Sequence, residues 1–114
     1  MELTQYIVMN TSLGMDKGKL VAQGAHAAVN VLDKVDNKIL TDWKNSGMKK
    51  IVLKVNSTKE LIEKFQEVKD AGLPASFISD AGRTQIPAGS KTAFACGPIE
   101  ETAGENHFGE LKLL

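Results

Sequence analysis

Short β-favouring apolar runs alternate with helix-patterned stretches along this chain, and that alternation limits the fold more than any other feature. Tyr6-Ile7-Val8-Met9 reads as a first strand, and Ile51-Val52-Leu53-Lys54-Val55 is the clearest strand of all. Between them residues 17–35 keep a helical period, and a shorter helical piece runs through Ile39 to Trp43 and ends near Gly47. Ser57-Thr58-Lys59-Glu60 has the spacing of a capping box. The helix it starts carries Leu61, Ile62, Phe65 and Val68, stops at Gly72 and is barred from continuing by Pro74. Ser76-Phe77-Ile78 and the run from Lys91 to Cys96 supply a third and a fourth strand. Pro98-Ile99-Glu100-Glu101 is expected to open a last helix, which Gly104 weakens, and Leu111 to Leu114 to dock at the surface or at a subunit contact.

The order β-α-(α)-β-α-β-β predicts an α/β fold: a compact three-layer-type sandwich with a mixed four-stranded sheet flanked by helices. Helical crossovers make the first three strands parallel. The connection across residues 80–90 is too short for such a crossover, so the fourth strand is expected to run antiparallel. A chain of 114 residues fits one domain over 1–114. It can close its own core without disulfides or a metal. On the first helix Val21, Ala25, Ala28 and Leu32 share a face whose small alanines suit close packing on a sheet. Lys19, Gln23, His26 and Asn30 form a narrow stripe opposite.

Several classes are excluded early. Cys96 is the only cysteine and lies in an apolar strand, so it reads as a small buried hydrophobe, with no disulfide and no cysteine-based zinc site. His26 and His107 stand far apart in sequence and in no metal-ligand spacing. No metal and no cofactor is expected. No apolar run approaches the ~20 residues of a membrane span, and Met1 to Gln5 lacks the basic start of a signal peptide, so a cytoplasmic location is expected. Fourteen Lys/Arg against fourteen Asp/Glu give zero net charge, which argues against a generic basic nucleic-acid binder.

Two polar segments remain. Leu13-Gly14-Met15-Asp16-Lys17-Gly18-Lys19-Leu20 joins the first strand to the first helix, a place where backbone N–H groups hold anions. It is not a Walker A loop, because only three residues separate its glycines. From spacing alone, a glycine-assisted helix start with two solvated lysines is the favoured reading. Asp80-Ala81-Gly82-Arg83-Thr84-Gln85-Ile86-Pro87-Ala88-Gly89-Ser90 follows the third strand and holds the lone arginine. An Asx-turn with an exposed Arg83 is its plain structural reading. If strands one and three are parallel, Lys19 and Asp80 converge at one sheet edge.

Gly14-Met15, Lys17-Gly18-Lys19, Ala22-Gln23, Ala25-His26-Ala27-Ala28, Asp80-Ala81-Gly82-Arg83-Thr84-Gln85-Ile86, Gly97-Pro98 and Leu111-Lys112-Leu113 occur in the order and spacing of a known family. Essentially the whole chain resembles the peptidyl-tRNA hydrolases of the second type, found in archaea and eukaryotes. The resemblance implies a mixed four-stranded sheet, a homodimer, and metal-independent hydrolysis of the ester joining a peptide to the 3′ end of tRNA. It implies Lys19, Asp80 and Thr84 as catalytic residues, with Gln23, His26 and Arg83 in support. Substrate contacts are expected at Lys17, Gly18, Arg83 and Gln85. The chain departs from the family pattern at Asn10-Thr11-Ser12, Asp16, Gly24 and Pro87-Ala88.

Residue types fit such a reaction. Asp80 would orient or deprotonate a water, Lys19 would hold charge on the oxyanion or a phosphate, and Thr84 would donate or relay a hydrogen bond. His26 is either a proton carrier or a packed structural histidine. A non-catalytic tRNA- or nucleotide-binding module with the same loops is the alternative. Neutrality is compatible with tRNA only if charge is segregated. Residues 1–54 hold eight lysines against five acids, and residues 55–114 hold six basic residues against nine acids. Lys17, Lys19, Lys49, Lys50 and Lys54, joined by Arg83, are therefore expected on one face, with the acidic helix 57–71 and the C-terminal segment turned away.

Overall fold

A computed structural model describes residues 2–81 and 86–114. Strand β1 (Leu3–Asn10) leads through a 3₁₀ turn, Thr11–Leu13, into helix α1 (Lys17–Asn30). A second 3₁₀ turn, Val31–Lys34, precedes α2 (Asn37–Asn45), β2 (Lys50–Val55) and α3 (Thr58–Asp70). Then come β3 (Ala75–Ser79), β4 (Lys91–Glu100), α4 (Glu101–Phe108) and β5 (Lys112–Leu113). The sheet order is β3-β4-β1-β2-β5.

The expectation of four strands is corrected to five. Lys112 and Leu113 pair antiparallel with Lys54 and Leu53, so the apolar tail closes a sheet edge. Its two paired residues are too few to show any strand period. β1 and β2 are parallel neighbours, with Asn10 opposite Val55. β4 runs antiparallel to both β1 and β3, which leaves β1, β2 and β3 pointing the same way, as expected. The helix anticipated at Pro98 starts instead at Glu101, because residues 97–100 continue β4 opposite Leu3 and Thr4.

Two cores form on the two faces of the sheet. Tyr6, Val8, Leu53 and Val55 point to α3 and α4, where Leu61, Phe65, Val68 and Phe108 cover them. Ile7, Met9, Ala93 and Ala95 point the other way, to Ala27, Ala28 and Val31. Alternation along β1 thus assigns odd residues to one helical layer and even residues to the other. The Ser57 hydroxyl accepts from Glu60 N–H (3.1 Å) and caps α3. The reciprocal bond falls one residue early, from Asn56 N–H to the Glu60 carboxylate (3.3 Å). Gly72 ends the helix at φ +79°. Cys96 is fully buried in the α3 layer, and burial pushes its thiol up to about 12.

Ion pairs tie neighbouring elements together away from the β1 and β3 loops. The Lys49 ammonium bonds both Glu101 oxygens (2.9 and 3.1 Å), and this holds the Glu101 carboxyl below the ordinary value of 4.5. A bond from Lys64 does the same for Glu110. Carboxylates whose folded pKa is depressed add stability that is complete above the unfolded value and lost as pH falls through the folded one. Thermal melts from neutral pH downward are therefore expected to show a Tm that falls below about pH 4.5. Glu101→Gln lowers the neutral Tm and flattens that acid limb. An acid limb unchanged by Glu101→Gln would contradict this.

Candidate active site

The site forms where β1 and β3 release their loops at the same end of the sheet. Asn10 ends β1 and is fully buried. Its amide donates to Thr58 Oγ1 (2.9 Å) and to the Lys91 carbonyl (3.0 Å). Its Oδ1 accepts from Ser12 N–H (3.1 Å) and Ser12 Oγ (2.6 Å). One side chain thus anchors the following turn to both α3 and β4. Gly14 takes the left-handed conformation, φ +65°, that turns the chain toward α1. Met15 is buried below the loop. Asp16 precedes α1 without a side-chain capping bond.

On the other side the backbone of Asp80 closes the base of the following loop. Asp80 N–H donates to the Ser90 carbonyl (2.8 Å), and Gly89 N–H donates to the Asp80 carbonyl (2.9 Å). Ile86 plugs the loop into the α1-side core.

Lys19 and Asp80 meet across this gap, 61 residues apart in sequence, with Lys19 Nζ donating to Asp80 Oδ1. The two side chains are only 9% and 3% exposed. In so dry a place the contact matters to both groups, because burial raises the cost of any charge that is poorly compensated. One turn along α1, Gln23 Oε1 accepts from the Thr92 hydroxyl of β4 at 2.5 Å. That bond spends the carbonyl end of the amide and leaves the Nε2 end as donor. Asn30 Nδ2 donates to Ser76 Oγ at 2.5 Å.

The expected orientation of α1 holds for Ala28 and Leu32, which pack toward the sheet, and fails for Val21 and Ala25. Lys19, Gln23 and Asn30 reach the sheet, whereas Val21 is 72% exposed and Ala25 lies outside. The buried row is Leu20, Gly24, Ala27, Ala28 and Val31, and a Cβ on Gly24 would stand 3.5 Å from Met9 Sδ. A helical wheel ranks faces by hydropathy. Here polar side chains flank a row of small residues and find partners on β3 and β4.

His26 is exposed, about 10 Å along the helix from Lys19 at ~1.5 Å per residue. The structure does not bring it to the pair. Lys17 and Gly18 are exposed in the first turn of α1. Arg83, Thr84 and Gln85 lie outside the described residues. Asn10 and Thr92 were missed as positioning groups. The signal for Thr92 is its place in β4, two residues beyond the Ser90 that pairs with Asp80. Lys49, expected on the tRNA face, is held by Glu101 and Glu2 at the opposite end of the sheet. Among the described residues no cluster of His, Cys, Asp or Glu could hold a metal, and no helix is long and apolar enough to cross a membrane.

A buried ammonium–carboxylate pair beside a helix N-terminus, at the end of parallel strands, is an arrangement that a small α/β enzyme could turn on a carbonyl or phosphoryl centre. The comparisons narrow that class. The chain belongs to the family described as Peptidyl-tRNA hydrolase PTH2, whose model matches residues 3–114. It is 44% identical over 111 residues to the peptidyl-tRNA hydrolase of Halobacterium salinarum, covering 97% of this chain and 99% of the relative. It is 46% identical over 113 residues to that of Methanococcus maripaludis, covering 96% and 97%. It is 44% identical over 111 residues to that of Methanocaldococcus jannaschii, covering 95% and 96%.

Proposed function

We propose that this chain hydrolyses the ester of peptidyl-tRNA, with Lys19, Asp80 and Thr84 as its catalytic residues. The buried contact between Lys19 and Asp80, in a chain of this family, carries the reading. A water oxygen attacks the ester carbonyl carbon while Asp80 orients the water and accepts its proton. An aspartate is a weak base, with a pKa of about 3.9 in water, so its part is positioning and transient acceptance. The oxyanion that forms is met by the Lys19 ammonium, by the amide end of Gln23 and by the Thr84 hydroxyl. Collapse breaks the ester C–O bond, and the proton passes to the departing ribose oxygen. Free tRNA and a peptide carboxylate result.

The reaction is carried by one domain that spans residues 1–114. The substrate is held through contacts at Lys17, Gly18, Arg83 and Gln85. The enzyme works in the cytoplasm as a homodimer, a reading supported by the exposed row of Val21, Ala25 and Val29 on α1. Release of an N-acetylated amino acid from tRNA is the direct assay. Binding of tRNA by the wild type without release would instead favour the non-catalytic module.

Gly18 gives a sharper test. It is the second residue of α1, with a non-positive φ, and no described atom lies within 4 Å of where its Cβ would stand. Neither strain nor packing within the chain requires glycine there, and glycine costs a helix about 1 kcal/mol relative to alanine. Close approach of the substrate to the helix N-terminus accounts for it. Gly18→Ala is expected to raise Tm by a few degrees and raise KM about tenfold. Unchanged KM would remove Gly18 from the substrate contacts.

A further inference from the structure

We infer that Lys54, Lys112 and Lys17 form a rim that binds the phosphodiester backbone of the tRNA body, away from the reacting ester. This rests on the proposed hydrolase reading for the choice of nucleic acid. Lys54 of β2 and Lys112 of β5 are direct cross-strand partners, so their Cβ atoms lie about 5 Å apart on one face of the sheet. Like charges placed opposite each other weaken a sheet. Among the described residues neither has an ion-pair partner, and the same is true of Lys17. Nothing in the fold requires this arrangement, and a polyanion would relieve it.

Placement gives the partner. Val52, two residues before Lys54, lies in the floor of an uncovered groove of about 440 Å³ whose wall is Leu20, Val21 and Gly24 of α1. Lys54 therefore shares the α1 side of the sheet and stands nearer the end where β1 and β2 release their loops. Lys17 precedes Leu20 and Val21 by three and four residues and so overhangs the same groove. All three lysines surround the end of the sheet that holds Lys19 and Asp80. Sheet order puts β5 four strand spacings from β3, about 19 Å at ~4.8 Å each. A polymer that presents its 3′ ester to Asp80 meets these lysines with a phosphate several nucleotides back.

The test uses the full chain and deacylated tRNA in a salt titration. Lys112→Glu converts the like-charged cross-strand pair into an attractive one, so Tm is expected to rise. Affinity for tRNA should fall about tenfold, with the slope of log K against log salt reduced by between one and two. In hydrolysis, the loss on N-acetyl-aminoacyl-tRNA should exceed any loss on N-acetyl-aminoacyl-adenosine by about the same factor. Lys59→Glu, on α3 across the sheet, should leave tRNA affinity in place. Unchanged tRNA affinity and salt slope in Lys112→Glu would overturn the inference. So would equal losses on tRNA and the short ester, or affinity of the rim for an acidic protein with none for tRNA. If the wild type binds tRNA through this rim but releases no amino acid, the hydrolase reading fails and the rim stands.

Discussion

Asp80→Asn is expected to lower kcat by about 10²- to 10⁴-fold, the range of a lost general base. Lys19→Met should lower it by about 10²- to 10³-fold, as for a lost oxyanion contact. Each single change also takes the contact shown here away from a buried charged partner, at a cost of up to about 3–5 kcal/mol if the survivor stays in place. Activity alone would therefore not separate chemistry from folding. The pair changed together does so, because both buried charges are then removed at once and the coupling between them can be read from the cycle. Lys19→Met with Asp80→Asn should recover most of the Tm lost by either single variant, and none of the activity. Thermal melts and single-turnover release from N-acetyl-aminoacyl-tRNA read the two quantities separately. A double variant that regains turnover along with stability would reduce the pair to a structural clasp.

Gly104→Ala is expected to be the most destabilising conservative change outside the site. Helix propensity alone favours alanine by about 1 kcal/mol. Packing reverses the sign, because a Cβ at Gly104 would overlap the Tyr6 ring at Cε2, Cζ and Oη. Tyr6 cannot swing away, since it is 2% exposed and stacks on Phe108 at 4.6 Å between centroids. Overpacking at such a point costs about 3 kcal/mol, or roughly 10 °C in Tm. Gly18→Ala makes the same substitution inside another helix and should shift Tm upward. Tyr6→Leu should cost less in the Gly104→Ala background than alone, a coupling readable in a double-mutant cycle. Additive losses would mean that the two residues do not meet.

What the sequence disclosed and what it hid divide along physical lines. Features set by a few adjacent residues were legible. Ser57 caps α3, Gly72 stops it, and the short link between β3 and β4 dictates their antiparallel pairing. The convergence of Lys19 and Asp80 was also legible, because parallel strands deliver their loops to one end. Long-range choices were hidden. Gly97-Pro98 reads locally as a helix approach, yet Gly97, at φ +98°, lies where a Cβ would press on the Thr4 carbonyl (2.8 Å) as β4 runs on beside β1. The turning of α1 depended on partners at Asp80, Thr92 and Ser76, none of which a wheel displays. The Lys49–Glu101 pair removed one cation from the expected basic face, while β5 brought Lys112 to it from a segment expected to turn away. The expectations for Arg83, Thr84 and Gln85 fall outside the described residues.

The pairing of β1 with β4 has a consequence for synthesis. The first strand lies between β2 and β4, and its Leu3 faces Glu100. A chain growing from its N-terminus can pair β1 on one side once β2 has emerged. The other side waits until nearly the whole sequence is made. Until then β1 offers an open hydrogen-bonding edge, the kind of surface on which nascent chains aggregate. Asp80 also lacks the Ser90 backbone that fixes it. Shortened products ending before β4 should therefore be insoluble as well as inactive, and the molecule acquires its chemistry in one late step.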